Sequence, residues 1–279
     1  MPFISLQDVG VEFPLKGGGN HKVFSGLNLQ IEEGEFVTVI GQTGCGKSTL
    51  LRLLLGSEHP QSGNVTVDGL PVLQPSRDRG YVPQKYSLFP DKTVTGNIAF
   101  GPMAESFALH RLCQPFWWKR RKEIHQEALG YLRRVGLADR DAGKYPDQLS
   151  GGMQQRVAIA QSLIMRPKIL LMDESFSALD PETRTGMQRL IRSIWRESGT
   201  TIVFVTHNLF EAVYLGSRVL RIAKDPNQEC SRIALDLRVP DYARLPDGSP
   251  HPEEIQRIMN QIEHAASGSV LEEMTEFAG

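Results

Sequence analysis

The run Gly41-Gln42-Thr43-Gly44-Cys45-Gly46-Lys47-Ser48-Thr49 follows directly on the apolar stretch Phe36-Val37-Thr38-Val39-Ile40. That order predicts a buried strand, a glycine-rich turn and a helix start, the context that a phosphate-binding loop needs. Gly41, Gly44 and Gly46 let the backbone curl so that successive N–H groups point inward at phosphate oxygens, with no Cβ in the way. Lys47 supplies a cation for the β- and γ-phosphates, and the Ser48 hydroxyl is a ligand for Mg2+. The helix that continues through Leu50-Leu51-Arg52-Leu53-Leu54-Leu55 aims its positive end at the same phosphates. A glycine-rich turn that matched by accident would not carry both lysine and serine in register behind a strand. The run therefore predicts a nucleoside triphosphate cradled by Gly41 through Thr49.

With 279 residues, 40% of them hydrophobic, the chain can bury a large core, as one big α/β domain or as a domain with a subdomain and a tail. Lysine plus arginine (31) nearly cancels aspartate plus glutamate (32), so net charge lends no support to general nucleic-acid binding. Cys45, Cys113 and Cys230 are far apart and lack CxxC spacing, which points to a reducing compartment and away from a disulfide framework or a zinc site. Cys45, inside the loop, reads as a small filler whose alkylation should block nucleotide entry. The start, Met1-Pro2-Phe3-Ile4-Ser5, lacks the pattern of a secretion signal, and no window is apolar for the length of a membrane span. The expectation is a soluble, intracellular protein whose membrane role, if any, runs through a partner.

Along the chain, Ile4–Val9, Val11–Phe13 and Leu27–Ile31 read as short strands, with a flexible turn at Gly17-Gly18-Gly19-Asn20. Gly63–Gly69 alternates and ends in Asp-Gly, a hairpin signal, and Gly80-Tyr81-Val82 is a further strand. From about Thr95 to Leu163 the pattern is helical, with an amphipathic stretch at Lys122–Val135 and a second helix from Ser150. Strand Ile169–Met172, helix Pro181–Glu197 and strand Thr201–Val205 then alternate, which implies a parallel sheet with right-handed crossovers. After Lys224 the periodicity weakens, Pro240 to Pro252 reads as a linker, and Pro252–Ala266 as a closing helix.

Two further sites carry chemistry. The buried strand Ile169-Leu170-Leu171-Met172 ends in Asp173-Glu174. Parallel strands present such ends to a ligand crevice, where Asp173 can hold the Mg2+ shell and Glu174 can face an attacking water. An acidic strand end that only caps a turn is the alternative. In Leu149-Ser150-Gly151-Gly152-Met153-Gln154-Gln155-Arg156, Ser150 is a good helix N-cap and the two glycines leave bare N–H groups for an anion, although the fragment alone fits a plain cap better.

That octapeptide resembles the signature motif of the ATP-binding-cassette (ABC) ATPases, and it lies between the phosphate loop and the Asp-Glu strand in the order that family shows. Gln84 in YVPQ is similar to the family's Q-loop glutamine, Ser177-Ala178-Leu179-Asp180 to its D-loop, and His207 in VFVTHN to its switch histidine. A lone histidine after a strand is more often structural, but its place at the end of a core strand favours function. Phe13 falls where the family stacks an aromatic on adenine, though a strand phenylalanine is ordinarily core. The resemblance spans residues 3 to about 235. It implies an α/β P-loop NTPase with a mostly parallel core sheet, an N-terminal antiparallel β subdomain and an inserted α-helical subdomain at about 95–163, followed by a linker and short helical tail over 236–279.

The resemblance also implies a head-to-tail dimer holding two ATP and Mg2+. Ser150, Gly151 and Gly152 of one copy would close on the γ-phosphate held by Lys47 of the other. Glu174 and His207 would act on an in-line water, with Gln84 linking Mg2+ to the partner surface. Within the family, Gly69 through Gln84 is similar to the nitrate/sulfonate/taurine importer ATPases. Pro83, Phe89-Pro90-Asp91 and Ser175 depart from that pattern without touching a catalytic side chain. The implied partners are a second ATPase copy, transmembrane permease subunits and, indirectly, a solute-binding protein outside the membrane, with no nucleic acid. The implied place is the cytoplasmic face of the cell membrane.

Exporter motors and soluble ABC ATPases acting on nucleic acid or ribosomes are the alternatives. The latter carry paired cassettes or coiled-coil insertions that this sequence does not show. Met103–Lys122, with Trp117-Trp118 before Lys119-Arg120-Arg121-Lys122, reads as an insertion. It is equally a surface for the membrane subunit or anionic head groups and a packed aromatic pair before a solvated basic face.

Overall fold

The computed structural model describes residues 2–15, 17–85, 87–110, 114–225, 230–240, 243 and 249–266. The chain divides into two units, residues 1–74 with 201–279, and residues 75–200. The first stretch forms β1 (Ile4–Pro14), β2 (Asn20–Ile31), β3 (Phe36–Gly41), α1 (Lys47–Leu55), β4 (Ser62–Val67) and β5 (Leu70–Pro71). The second unit follows with β6 (Arg79–Val82), α2 (Val94–Ile98), α3 (Phe100–His110), α4 (Gln114–Arg134), α5 (Gly151–Leu163), β7 (Ile169–Asp173) and α6 (Pro181–Ser198). The chain then returns to the first unit with β8 (Thr201–Val205), α7 (Leu209–Leu215), β9 (Arg218–Lys224), β10 (Ser231–Arg238) and α8 (Pro252–Ala266).

In the first unit the strands run in the order β5-β4-β1-β2-β10-β9-β3-β8. Strand β3 is parallel to β8 and β9, and all of Phe36–Ile40 and Thr201–Val205 is buried. A continuous apolar run is what a parallel strand covered on both faces requires. The β1, β2, β4 and β5 arm is antiparallel. Its tight turn is supplied by Asp68 at φ +52° and Gly69 at φ +72°, the left-handed pair that the Asp-Gly signal predicted. The two N-terminal strands expected before and after Gly10 are one bulged strand, β1.

Strands β9 and β10 stood outside the expected elements. They form an antiparallel hairpin whose outer strand also bridges β2 in parallel at Ser231 and Phe24. Arg218 anchors this hairpin. Its guanidinium donates twice to the Asp236 carboxylate at 2.6 Å, once to Glu35 at 3.1 Å and once to the Gln30 carbonyl at 2.8 Å. The Asp236 carboxylate, with Glu35 beside it, holds the Arg218 pKa above the ordinary arginine value against the opposing effect of burial. The closing helix expected at Pro252–Ala266 is α8.

In the second unit β6 and β7 are parallel, with Val82 opposite Met172. The amphipathic stretch Lys122–Val135 is the inner half of the longer α4. Its Ile124, Ala128 and Leu132, with Val135 just beyond, are fully buried. Each such isoleucine, leucine or valine contributes about 1.5–3 kcal/mol by leaving water. Buried Asn97 pins the connection ahead of α2. Its amide donates to the carbonyls of Phe89, Lys92 and Thr93 and accepts from the Phe89 N–H at 2.7 Å.

Candidate nucleotide site

Where β3 leaves the sheet, Gly41 passes so close to its neighbour that a Cβ would stand 2.3 Å from the Ile222 carbonyl oxygen and 2.6 Å from the Cys45 sulfur. Gln42, Thr43 and Gly44 form the exposed tip of the loop. Gly46 enters α1 in the left-handed region at φ +96°, pressed on by Val23 and Phe24 of β2, and no side chain caps the helix. The first helical bond runs from the Leu50 N–H to the Gly46 carbonyl at 2.9 Å. The N–H groups of Lys47, Ser48 and Thr49 thus form the open positive end of the helix, with no capping side chain among the described residues.

Lys47 folds back over the loop. It is buried, and its ammonium donates to the carbonyls of Gly41 and Gln42, each at 2.9 Å. A cation fixed above a ring of N–H groups is what a polyphosphate requires. Cys45 fills the space behind the loop at 2% exposure. Burial pushes its thiol pKa up, and the Lys47 charge only partly opposes this. The alkylation expected from the sequence therefore meets a sheltered, protonated sulfur.

At the end of β8, His207 is exposed on the turn into α7. Its neighbours are tied down. The Thr206 hydroxyl donates to the buried Glu211 carboxylate at 2.5 Å, the Asn208 N–H donates to Thr206 Oγ1 at 3.1 Å, and Asn208 Oδ1 accepts from the Glu211 N–H at 3.1 Å. None of these three residues was singled out from the sequence. The signal was present, because Asn208 followed three residues later by Glu211 is the pattern of a helix start. Phe13 lies half-exposed on β1, opposite His21 of β2. It belongs to the strand pair whose Val23-Phe24 segment packs on Gly46.

In the second unit the structure joins two residues that stand far apart in the sequence. Gln84 Nε2 donates to Glu174 Oε2 at 3.2 Å, just past the end of β7. Glu174 takes φ +44°, a left-handed conformation that costs a non-glycine residue about 1–2 kcal/mol. The surrounding bonds hold it there. Ser177 donates to the Glu174 carbonyl through its N–H at 3.1 Å and its hydroxyl at 2.9 Å. The buried Ser175 hydroxyl reaches the Val82 carbonyl at 3.2 Å, which ties the Glu174 turn to the strand leading to Gln84. Ser175, noted from the sequence only as a departure from a family pattern, is a structural clasp. Asp173 closes β7 half-exposed.

Ser150 caps α5, accepting the Met153 N–H at 3.3 Å, as its sequence predicted. Gly151 is exposed, but Gly152 is buried, and a Cβ on it would stand 2.4 Å from Thr183 Cγ2. Close packing against α6 is thus a direct reason for the second glycine. Arg156 donates to the Val135 carbonyl at 2.6 Å, and burial lowers its pKa. Asp180 is exposed and caps α6, accepting the Thr183 N–H at 3.0 Å; the Thr183 backbone and hydroxyl hold its carboxyl below the usual carboxylate range. The loop before it is shaped by Arg184, which donates to the carbonyls of Phe176, Ser177 and Leu179.

Ser48 in the first unit, and Asp173 and Gln84 in the second, each carry a side-chain oxygen of the kind that a divalent cation takes. Among the described residues no group of three or more His, Cys, Asp or Glu side chains could cage a metal. Sparse oxygen donors fit Mg2+ delivered with phosphates, since that ion keeps waters and phosphate oxygens beside one or two protein ligands.

A mixed sheet whose parallel strand β3 opens into a lysine-bearing phosphate loop defines a nucleotide-binding cassette. The family model described as ABC transporter matches residues 24–177, and the chain belongs to that family. It is 41% identical over 224 residues to the nitrate import ATP-binding protein NrtD of Synechococcus elongatus, covering 80% of this chain and 77% of that one. With the taurine import ATP-binding protein TauB of Rhizobium johnstonii it shares 39% identity over 267 residues, covering 94% and 97%. Against longer relatives, named for bicarbonate transport and nitrate import, the chain spans only 36% and 41% of their length. Among solved structures, the dimeric post-hydrolysis state of the ATP-binding cassette MJ0796 bound to ADP and Pi superposes with a TM-score of 0.70 at 29% identity, covering 85% of this chain and 99% of that one.

Proposed function

We propose that this chain is the ATP-hydrolysing motor subunit of an ABC importer for a small solute of the nitrate, sulfonate or taurine class. The observation that carries the ATPase reading is the Lys47 ammonium held by the Gly41 and Gln42 carbonyls at the uncapped start of α1. Exchange of those two carbonyls for phosphate oxygens is the natural binding step. The importer reading is supported by relatives named for nitrate and taurine import that match most of their own length.

Gly41 through Thr49 cradle the phosphates in this reading, and Phe13 stacks on the adenine. Ser48, Asp173 and Gln84 would hold Mg2+, which would offset phosphate charge. Glu174 takes a proton from the attacking in-line water, on which His207 also acts. The Gln84–Glu174 bond supports this assignment, because it keeps the carboxylate oriented at the end of β7. Ser150, Gly151 and Gly152 of a second copy complete the pocket, with Asp180 at the dimer contact.

Residues 1–235 then form the ATPase domain, with a helical subdomain at about 95–163 and a linker and tail over 236–279. Permease subunits hold it at the cytoplasmic face of the membrane, and a solute-binding protein delivers the cargo to them. Among the described residues no helix is long and apolar enough to cross a membrane.

Glu174→Gln tests the chemistry. We expect retained ATP binding, a stable dimer in gel filtration with ATP, and turnover reduced about 10²–10⁴-fold; undiminished turnover would refute the role of Glu174. For the solute, uptake of labelled nitrate, taurine and an alkanesulfonate by cells lacking this chain should show loss of one of them. Unchanged uptake of all three would reject the proposed class.

A further inference from the structure

The outer half of α4 carries chemistry that the nucleotide site does not use. Trp118 is 62% exposed and Phe107 of α3 57% exposed, far more than such side chains are when they serve a core. This removes the packed-aromatic reading for Trp118. Both line one groove, whose other side chains include Lys92, Arg121, Lys122 and His125, and among the described residues no carboxylate lines it. Trp118, Arg121, Lys122 and His125 follow the i, i+3, i+4, i+7 spacing of a single helix face, and the Arg121 guanidinium lies 5.5 Å from the centre of the Trp118 ring. Lys92 is paired with Asp91 at 3.0 Å and Arg120 with Glu123 at 3.2 Å. Lys119, Arg121 and Lys122 have no carboxylate partner among the described residues.

We propose that this end of α4, with Phe107 beside it, binds directly to an anionic lipid surface, Trp118 and Phe107 entering the head-group region while Lys119, Arg121 and Lys122 meet lipid phosphates. Two features favour a bilayer over an acidic protein segment. Consecutive cations at 100° steps fan around the helix, which suits a charged plane that several sides of a helix end can touch; a peptide lying in one groove would meet only part of the fan. An indole flanked by cations is also the amphipathic pairing that settles at a membrane interface. In a chain with a net charge of −1, this local cluster is the part that an anionic surface would orient toward itself. The proposal goes beyond the importer reading, since it concerns the subunit without any permease.

The test is sedimentation of the full chain with vesicles of phosphatidylglycerol and phosphatidylcholine, and with phosphatidylcholine alone. Binding is expected only to the anionic vesicles, with a blue shift in tryptophan emission that Trp118→Phe abolishes while binding persists. Raising NaCl from 0.1 to 1 M, which shortens the screening length from about 10 to about 3 Å, should release the protein. Arg121→Gln with Lys122→Gln should weaken binding about 25-fold, roughly fivefold per cation, with Arg121→Lys and Lys122→Arg close to the wild type and all variants melting at the same temperature. Equal binding to both vesicle types, or no binding to either, would overturn the proposal. Capture of polyglutamate without vesicle binding would also overturn it, in favour of an acidic protein partner.

Discussion

At Gly46 the backbone enters α1 at φ +96° with no side chain on the helix N–H groups, while at Ser150 it enters α5 at φ −65° and ψ +158° with the hydroxyl on the Met153 N–H. Both starts are serine- and glycine-rich, but from sequence the first reads as an anion site and the second, taken alone, as a plain cap. In the first, the glycines make conformation: Gly46 is left-handed, and Lys47 is folded into the loop it closes. In the second, Gly152 makes room for Thr183, and one N–H is already satisfied. A loop built around unsatisfied donors is ready for phosphate by itself. A capped start has fewer free donors, which is consistent with its proposed role of meeting a phosphate that another copy already holds.

Four experiments bear on that contrast. Lys47→Ala should have the largest effect, reducing turnover about 10²–10³-fold in a phosphate-release assay and weakening nucleotide binding. Ser150→Ala should leave monomer binding of ATP unchanged; equal loss of ATP affinity in both variants would erase the distinction.

The second experiment concerns the glycines themselves. Gly46→Ala combines left-handed strain with crowding by Phe24 and should cost roughly 2–4 kcal/mol in urea unfolding. Gly152→Ala should cost roughly 1–3 kcal/mol and be largely restored by Thr183→Ser, which removes the clashing methyl. Rescue of Gly46→Ala by Phe24→Leu to the same degree would show that both glycines serve only packing.

The caps differ in their response to acid. Ser150→Ala should lower stability by about 1 kcal/mol at every pH, since the hydroxyl does not titrate. The folded-state pKa of Asp180 lies below its ordinary value, so its capping contribution is present above the unfolded value of about 3.9 and is lost as pH falls through the folded one. Asp180→Asn should therefore flatten the acid limb of the stability curve below about pH 4. An unchanged limb would mean that the cap contributes nothing.

The smallest effect is expected at Cys45. Peptide mapping after iodoacetamide treatment at neutral pH should show labelling at least about tenfold slower than in the urea-unfolded chain, rising as pH climbs above the ordinary thiol range. Fast labelling of the folded protein would mean that the loop opens readily.

Much of this was legible before folding, for local reasons. Parallel strands β3, β7 and β8 showed as apolar runs, the β4–β5 turn as Asp-Gly, and the inner face of α4 as Ile124, Ala128 and Leu132 at helical spacing. The hairpin of β9 and β10 was missed although Ile233, Leu235 and Leu237 alternate, because the half-exposed face of β10 weakens the contrast that periodicity needs. Helix α7 was missed because seven residues span barely two turns. Ser175 was read as a neutral departure because a hydroxyl gives no sign of its acceptor 93 positions away.

Residue order alone determined the phosphate loop, the acidic end of β7, the α/β alternation and membership in the family, since each is a pattern within a few residues set by backbone sterics and side-chain period. The tertiary structure decided what those patterns do to one another within each unit. It put Gln84 against Glu174, folded Lys47 onto its own loop, fitted Gly152 against Thr183, and left Trp118 outside the core beside Lys119, Arg121 and Lys122, which have no carboxylate partner among the described residues. Those outcomes depend on which distant groups satisfy or exclude one another when the chain closes, and neighbours in sequence carry no record of that.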